Sequence, residues 1–129
     1  IIATYGDDVQ FVWKDFPVIT AQSPKAAEAG QCAFDQGEFW AYHDLLYAKA
    51  PAIGVSNLKE YAAQVGLDTA RFDACLYSGQ NRAKAELSER EARQLALPGT
   101  PAFLVNGTRL IGPPSFEVLA EAIDAVLAE

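Results

Sequence analysis

The sequence has little basic charge, few cysteines and no long apolar run, and each shortage excludes a class of function. Ten lysine and arginine residues stand against 17 acidic ones, for a net charge of −7 at pH 7. This balance leaves no basic surface for nucleic acid, and an anionic membrane would repel the chain. No apolar stretch approaches the ~20 residues of a transmembrane helix. One histidine and two cysteines lack the spacing of a zinc site, so no metal site is predicted.

The N-terminus has none of the features of a secretory signal peptide. The segment Ile1–Gly6 has no basic region, no long apolar stretch and no cleavage site. It also lacks an initiator methionine and has the pattern of the last turns of a helix. We therefore expect the chain to be a fragment, a mature product or a trimmed form of a longer protein.

The spacing of the apolar residues changes twice, which divides one predicted domain of 129 residues into three regions. Residues 1–20 begin with a helix end at Ile1–Tyr5, which Gly6 closes. A strand is predicted at Val9–Trp13, because β-branched and aromatic residues cluster there. Its apolar content predicts burial on both faces, as in a parallel sheet.

Residues 21–97 have helical spacing throughout and are predicted to form five helices. Ser23 before Pro24 has the pattern of a helix cap followed by proline at the first helical position. Asn57 and Glu60 have the spacing of a capping box at the start of a later helix. The remaining start and stop signals in this region are Asp68, Gly66 and Gly79.

Residues 98–129 return to a strand pattern. Asn106-Gly107 joins two short apolar runs and predicts a hairpin with a type I′ turn, because both positions need a positive φ. Ser115 then caps a closing helix, whose apolar face carries Phe116, Leu119, Ile123 and Val126. The order strand, helices, hairpin and helix predicts an α/β fold with an inserted helical subdomain.

Three segments give the chain a resemblance to a known family: FVWKDFP at Phe11–Pro17, QGEFWAYHDLL at Gln36–Leu46 and PGTPAFLVNG at Pro98–Gly107. In this order they resemble the DsbA-like thiol–disulfide oxidoreductases of the thioredoxin superfamily, and the resemblance extends through the closing helix. It implies a thioredoxin-like fold in which Gly99, Thr100 and Pro101 bind the substrate chain. Spacing alone leaves the Thr100–Pro101 bond open between trans and cis, whereas the resemblance implies a cis bond.

The resemblance also implies that the catalytic segment is missing. In this family a strand, a C-x-x-C motif and the start of the active-site helix precede the position of Ile1. We therefore expect the chain to lack that strand, that helix start and every catalytic residue, and to be inactive alone. Cys32 lies within a predicted helix and Cys75 late in another, where the helix dipole does not stabilise a thiolate. Some members of the family carry a second cysteine pair, which favours a structural Cys32–Cys75 disulfide over two buried thiols.

The function implied for the intact protein is thiol–disulfide exchange with cysteine-containing proteins or peptides. The resemblance places it outside the cytoplasm, in the periplasm or cell envelope, with a membrane or thioredoxin-like redox partner and no cofactor. Whether it oxidises, reduces or isomerises stays open, because the dipeptide between the catalytic cysteines is absent. Two alternatives also stay open: a redox-inactive peptide-binding or chaperone module, and the soluble domain of a larger membrane protein.

Two further expectations concern packing. His43 lies beside Trp40, Tyr42 and Asp44 and is expected to be a packed structural histidine rather than a redox-tuning group. A missing central strand would also leave a gap in the sheet, so we expect no normal self-contained sheet. We favour a second copy that lends a strand over direct closure of the gap.

Overall fold

Seven α-helices, one short 3-10 helix at Gly6–Asp8 and one two-stranded sheet make up the structure, a computed structural model that describes all residues, 1–129. The helices are α1 (Ile2–Tyr5), α2 (Ser23–Phe34), α3 (Phe39–Lys49), α4 (Val55–Val65), α5 (Thr69–Ser78), α6 (Arg82–Gln94) and α7 (Phe116–Leu127), and the strands are β1 (Ala102–Val105) and β2 (Thr108–Ile111). Two compact units are formed: a helical unit, Asp15–Glu91, and an α/β unit of Ile1–Lys14 with Ala92–Glu129. None of the helices combines the length and apolar character that a membrane crossing requires.

The helices of the helical unit begin and end mostly where local signals predict. The Asp68 carboxylate accepts a hydrogen bond from the Arg71 amide at 3.0 Å and caps α5. Gly66 ends α4 with a φ of 87°, and Gly79 ends α5 with a φ of 67°. Glycine adopts this left-handed conformation without the steric penalty of a Cβ atom, which explains both endpoints.

Two predicted caps are wrong. Ser23 is the first residue of α2 rather than its cap, and its hydroxyl instead accepts a hydrogen bond from the Thr20 amide at 3.0 Å. Asn57 lies inside α4, because that helix already begins at Val55 after Gly54. A residue with the right spacing caps a helix only if its own backbone lies outside the helix, which spacing alone does not settle.

The core of the helical unit lies where α2, α3, α4 and α5 pack together. Its largest fully buried side chains are Tyr42, Phe72, Leu58, Leu76 and Cys32. The Tyr42 hydroxyl donates a hydrogen bond to the Leu58 carbonyl at 2.9 Å, so the one polar atom of this ring has a partner. Burial raises the pKa of the Tyr42 hydroxyl far above its ordinary value, which keeps this donor protonated.

The α/β unit contains the hairpin and α7. Asn106 and Gly107 both have positive φ, at 44° and 94°, which confirms the predicted turn. The Ser115 hydroxyl accepts a hydrogen bond from the Val118 amide at 3.3 Å and caps α7, which packs against β1. On the predicted apolar face of α7 Ile123 is buried and Phe116 is half exposed.

The predicted strand at Val9–Trp13 is wrong, because this segment belongs to no strand. Val9 is extended, with φ −127° and ψ 123°, but an extended segment becomes a strand only when a neighbour pairs with it. Phe11 is 43% exposed and Val12 62% exposed, so the predicted burial on both faces is also wrong. The β-branched and aromatic residues of this segment are typical of strands, but no strand of this chain pairs with it.

The small sheet agrees with the expectation that the chain forms no normal self-contained thioredoxin sheet. β1 pairs with β2 alone, so Phe11 and Phe103 do not lie on neighbouring paired strands and the gap has not closed. Within the α/β unit only Ala92 and Ile123 are buried. Whether a second copy lends a strand stays a prediction.

Candidate functional site

The candidate substrate-binding segment Gly99–Thr100–Pro101 connects α6 to β1. Thr100 and Pro101 are exposed, and Gly99 is half-buried. The peptide bond between Thr100 and Pro101 is cis, which is the geometry that the resemblance implies. The Pro101 carbonyl accepts a hydrogen bond from the Gly112 amide at 2.9 Å, so the segment is tied to the chain that follows β2.

The outer edge of β1 continues from this segment and has no paired strand. Ala102 lies opposite Ile111 and Val105 opposite Thr108, and the Gly112–Pro101 bond extends the same register. Hydrogen-bonded and non-hydrogen-bonded pairs alternate along an antiparallel ladder. The backbone groups of Ala102 and Leu104 therefore point away from β2 and line the outer edge.

Arg109 on β2 holds the chain just before the candidate segment. Its guanidinium donates a hydrogen bond to the Leu95 carbonyl at 2.7 Å. Ala96, the next residue, has a φ of 52°, a left-handed conformation that a non-glycine residue seldom adopts. Arg109 was not among the residues predicted from the sequence. Its place in the second strand of the predicted hairpin, two residues after Gly107, is the signal that could have identified it.

The structure joins Cys32 and Cys75 in a disulfide with an S–S distance of 2.05 Å. Cys32 lies in α2 and Cys75 in α5, so the bond links two helices of the helical unit. Asn81, which sequence reasoning missed, is 5% exposed and brings its amide nitrogen to 3.2 Å from the Cys75 sulfur. No sequence spacing identifies this amide, because one of its sulfur partners, Cys32, lies in the distant helix α2 and the other, Cys75, lies six residues earlier in the chain.

The aromatic residues of α3 surround His43. The ring centroids of Phe39, Trp40 and Tyr47 lie 5.8, 5.2 and 4.8 Å from that of His43. The His43 Nδ1 atom is 3.0 Å from a carboxylate oxygen of Asp44. Partial desolvation raises the pKa of the Tyr47 hydroxyl, and the Asp15 carboxylate adds to that rise. This arrangement is that of a packed histidine, with its ring orientation set by its neighbours.

The fold and the candidate segment define the class of protein: an α/β chain of the thioredoxin type with a helical insertion. A family model for thioredoxin matches residues 1–125, and the chain belongs to that family. The family and the thioredoxin-like fold predicted from the sequence are thereby confirmed.

Two solved structures share the fold. A thioredoxin-like oxidoreductase from Silicibacter pomeroyi superposes with a TM-score of 0.83 at 26% identity, over 92% of this chain and 68% of that one. The thiol–disulfide exchange protein alpha-DsbA2 from Wolbachia pipientis gives a TM-score of 0.80 at 18% identity, over 89% of this chain and 64% of that one. At the latter identity the similarity shows a common fold alone.

The curated relatives are much longer proteins. Na⁺/H⁺ antiporter NhaA 3 from Salinispora tropica is 34% identical over 93% of this chain and 19% of its own length. Na⁺/H⁺ antiporter NhaA from Herminiimonas arsenicoxydans is 32% identical over 95% of this chain and 20% of its own length. The chain thus spans about a fifth of these relatives.

Proposed function

We propose that the chain is part of a thiol–disulfide oxidoreductase that acts on cysteines of proteins outside the cytoplasm. The observation that carries the proposal is the cis Thr100–Pro101 segment, whose two residues are exposed and whose backbone continues into an edge of β1 that no strand of these 129 residues occupies. An extended substrate peptide can add to such an edge through backbone hydrogen bonds. Membership of the thioredoxin family and likeness to a thioredoxin-like oxidoreductase support the chemistry.

In this mechanism the chain positions the substrate and does not supply the attacking thiolate. A thiolate attacks a disulfide sulfur, a mixed disulfide forms, and a second thiolate resolves it. Both cysteines of this chain are joined to each other, and the sequence contains no C-x-x-C motif. The reactive pair would therefore lie outside these 129 residues, and a membrane or thioredoxin-like partner would reset it. A disulfide in the helical unit fits an oxidising compartment.

Replacing Leu104 by proline is the test of the strand edge. Proline removes the outward Leu104 amide donor and is tolerated on an edge strand, so the hairpin should survive while peptide pairing is lost. We expect an extended, cysteine-free peptide to shift the NMR amide signals of residues 102 and 104 in the unchanged chain. The same peptide should bind at least about tenfold more weakly to the Leu104→Pro variant, since backbone hydrogen bonds supply the affinity.

Leu104→Ala is the matched control, because it keeps the amide and removes only the half-exposed side chain. Equal binding by all three proteins would contradict a strand-edge site. Light scattering on the same samples detects the other possible occupant, a second copy of the chain. A dimer that Leu104→Pro dissociates would assign the edge to self-association instead of substrate.

The antiporter relatives favour a second candidate function, the soluble domain of a larger membrane protein. The coding sequence around these 129 residues distinguishes the candidates. We expect a C-x-x-C motif encoded about one helix length before Ile1 if the protein is the proposed enzyme. Membrane-spanning segments in the same reading frame would support the fusion. A preceding strand and helix without the cysteine pair would favour a redox-inactive peptide-binding module and contradict the enzyme.

A further inference from the structure

A cavity of about 220 Å³ opens onto the disulfide of the helical unit. Both Cys32 and Cys75 contribute to its wall, and Cys75 is the more exposed of the two, at 8% against 1%. The remaining lining residues are Asp35, Gln36, Arg71, Ala74 and Gln80. A purely structural disulfide needs no such opening. A cavity of this size suits a small molecule. It is too small to admit the part of another folded protein that carries a disulfide.

The buried Asn81 amide is aimed at both sulfur atoms. Its nitrogen lies 3.2 Å from the Cys75 sulfur and 3.6 Å from the Cys32 sulfur, and it donates to the Asp35 carboxylate at 2.9 Å. An amide nitrogen carries two protons, so one can bind Asp35 while the other faces the sulfurs. A disulfide sulfur is a weak acceptor, whereas a thiolate is a charged one. This donor therefore interacts more strongly once the bond has opened.

One acidic side chain, Asp35, and one basic side chain, Arg71, line the cavity. The Asp35 carboxylate is bound by the Asn81 amide, whereas the Arg71 side chain is exposed where it lines the opening. The Asp35 carboxylate keeps its negative charge in this hydrogen bond and is itself exposed, so the mouth carries one charge of each sign. The Arg71 guanidinium is the cation among the lining residues, and its geometry lets it pair directly with the carboxylate of an incoming molecule.

We propose that the Cys32–Cys75 disulfide is a second thiol–disulfide exchange site, which low-molecular-weight thiols bearing a carboxylate reach through this cavity in the folded protein. The proposal goes beyond the function above and does not depend on it. The incoming thiolate attacks the Cys75 sulfur, and a new S–S bond forms there. The Cys32–Cys75 bond breaks, and its electron pair leaves on Cys32, whose thiolate accepts a hydrogen bond from Asn81.

The exchange is completed by a second thiol. With a dithiol reductant, its other thiolate attacks the sulfur already bound to Cys75, closes a cyclic disulfide and releases the Cys75 thiolate. The two protons of the reductant pass through water to the two cysteines. The protein disulfide is thus reduced to two thiols, and the dithiol is oxidised to one disulfide.

The test compares two dithiols on the folded 129-residue chain. Dihydrolipoate carries a carboxylate and dithiothreitol is neutral, and alkylation followed by mass spectrometry counts the protein thiols formed. We expect reduction rates that rise linearly with reductant concentration. Arg71→Gln should slow reduction by dihydrolipoate on the order of 3- to 10-fold, because an electrostatic attraction is removed, and leave dithiothreitol unaffected.

Asn81→Leu should slow both reductants about tenfold, because the departing thiolate loses a hydrogen-bond donor. Gln80→Ala, a lining residue with no hydrogen bond to either sulfur, is the control and should change neither rate. Reduction that saturates at high reductant and accelerates in the destabilised core variant Leu58→Ala would mean that the protein must unfold first, and would overturn the proposal. Unchanged selectivity in Arg71→Gln, a surface variant that should fold normally, would overturn the preference for carboxylates.

Discussion

Replacing Cys32 and Cys75 together by serine is expected to lower the free energy of unfolding of the 129-residue chain by about 4 kcal/mol. The bond joins residues 43 positions apart, and cross-linking removes conformations mainly from the unfolded chain. Small domains are stable by only about 5–15 kcal/mol, so the loss would be a large share of the total. Urea denaturation followed by circular dichroism measures it.

The control for this comparison is the unchanged chain with its disulfide reduced. The reduced chain lacks the cross-link but keeps both sulfur atoms in the core. Comparing it with the serine variant therefore separates the free energy lost with the cross-link from the free energy lost by burying two hydroxyl groups. A change below about 1 kcal/mol in both proteins would contradict a stabilising role, since it lies outside the usual range for a native disulfide. Reduction through the cavity proposed above would then cost the helical unit little.

The 129-residue chain is expected to reduce insulin at the background rate, at least roughly a hundredfold below an intact family member, because neither cysteine lies at a helix start, where a reactive thiolate is stabilised. Cys32 lies in the last turn of α2 and Cys75 in the last turn of α5, away from the helix starts. Both cysteines are also buried and line a small cavity that a folded insulin molecule cannot enter. The assay follows the turbidity of reduced insulin in the presence of dithiothreitol.

The matched control is again the double serine variant, which should give the same rate as the unchanged chain. A higher turnover for the unchanged chain would mean that one of these cysteines attacks protein disulfides. That result would contradict the assignment of no catalytic residue to this chain. It would leave the small-molecule exchange of the previous section intact, because the two experiments use different reductants and readouts.

The features of this protein that could be predicted from sequence depend on short-range interactions, and those that could not depend on long-range ones. The Asp68 cap and the Asn106-Gly107 turn depend on atoms a few residues apart, and both were predicted. The strand at Val9–Trp13 needs a pairing neighbour, and the prediction failed because composition cannot supply one. The candidate segment Gly99–Thr100–Pro101 came from the resemblance, not from any spacing rule, and its role stays a proposal.

By itself the sequence determined the helical content, the hairpin and the family of this protein. These follow from local hydrogen bonds, apolar spacing and short motifs, all of which a linear pattern contains. Only the tertiary structure decided which strand edge is open and how the disulfide is surrounded. The Asn81 amide approaches the Cys32 sulfur across 49 positions of the chain and Asp35 across 46. Contacts at such separations arise from the packing of whole helices, so the individual residues carry no signal of them.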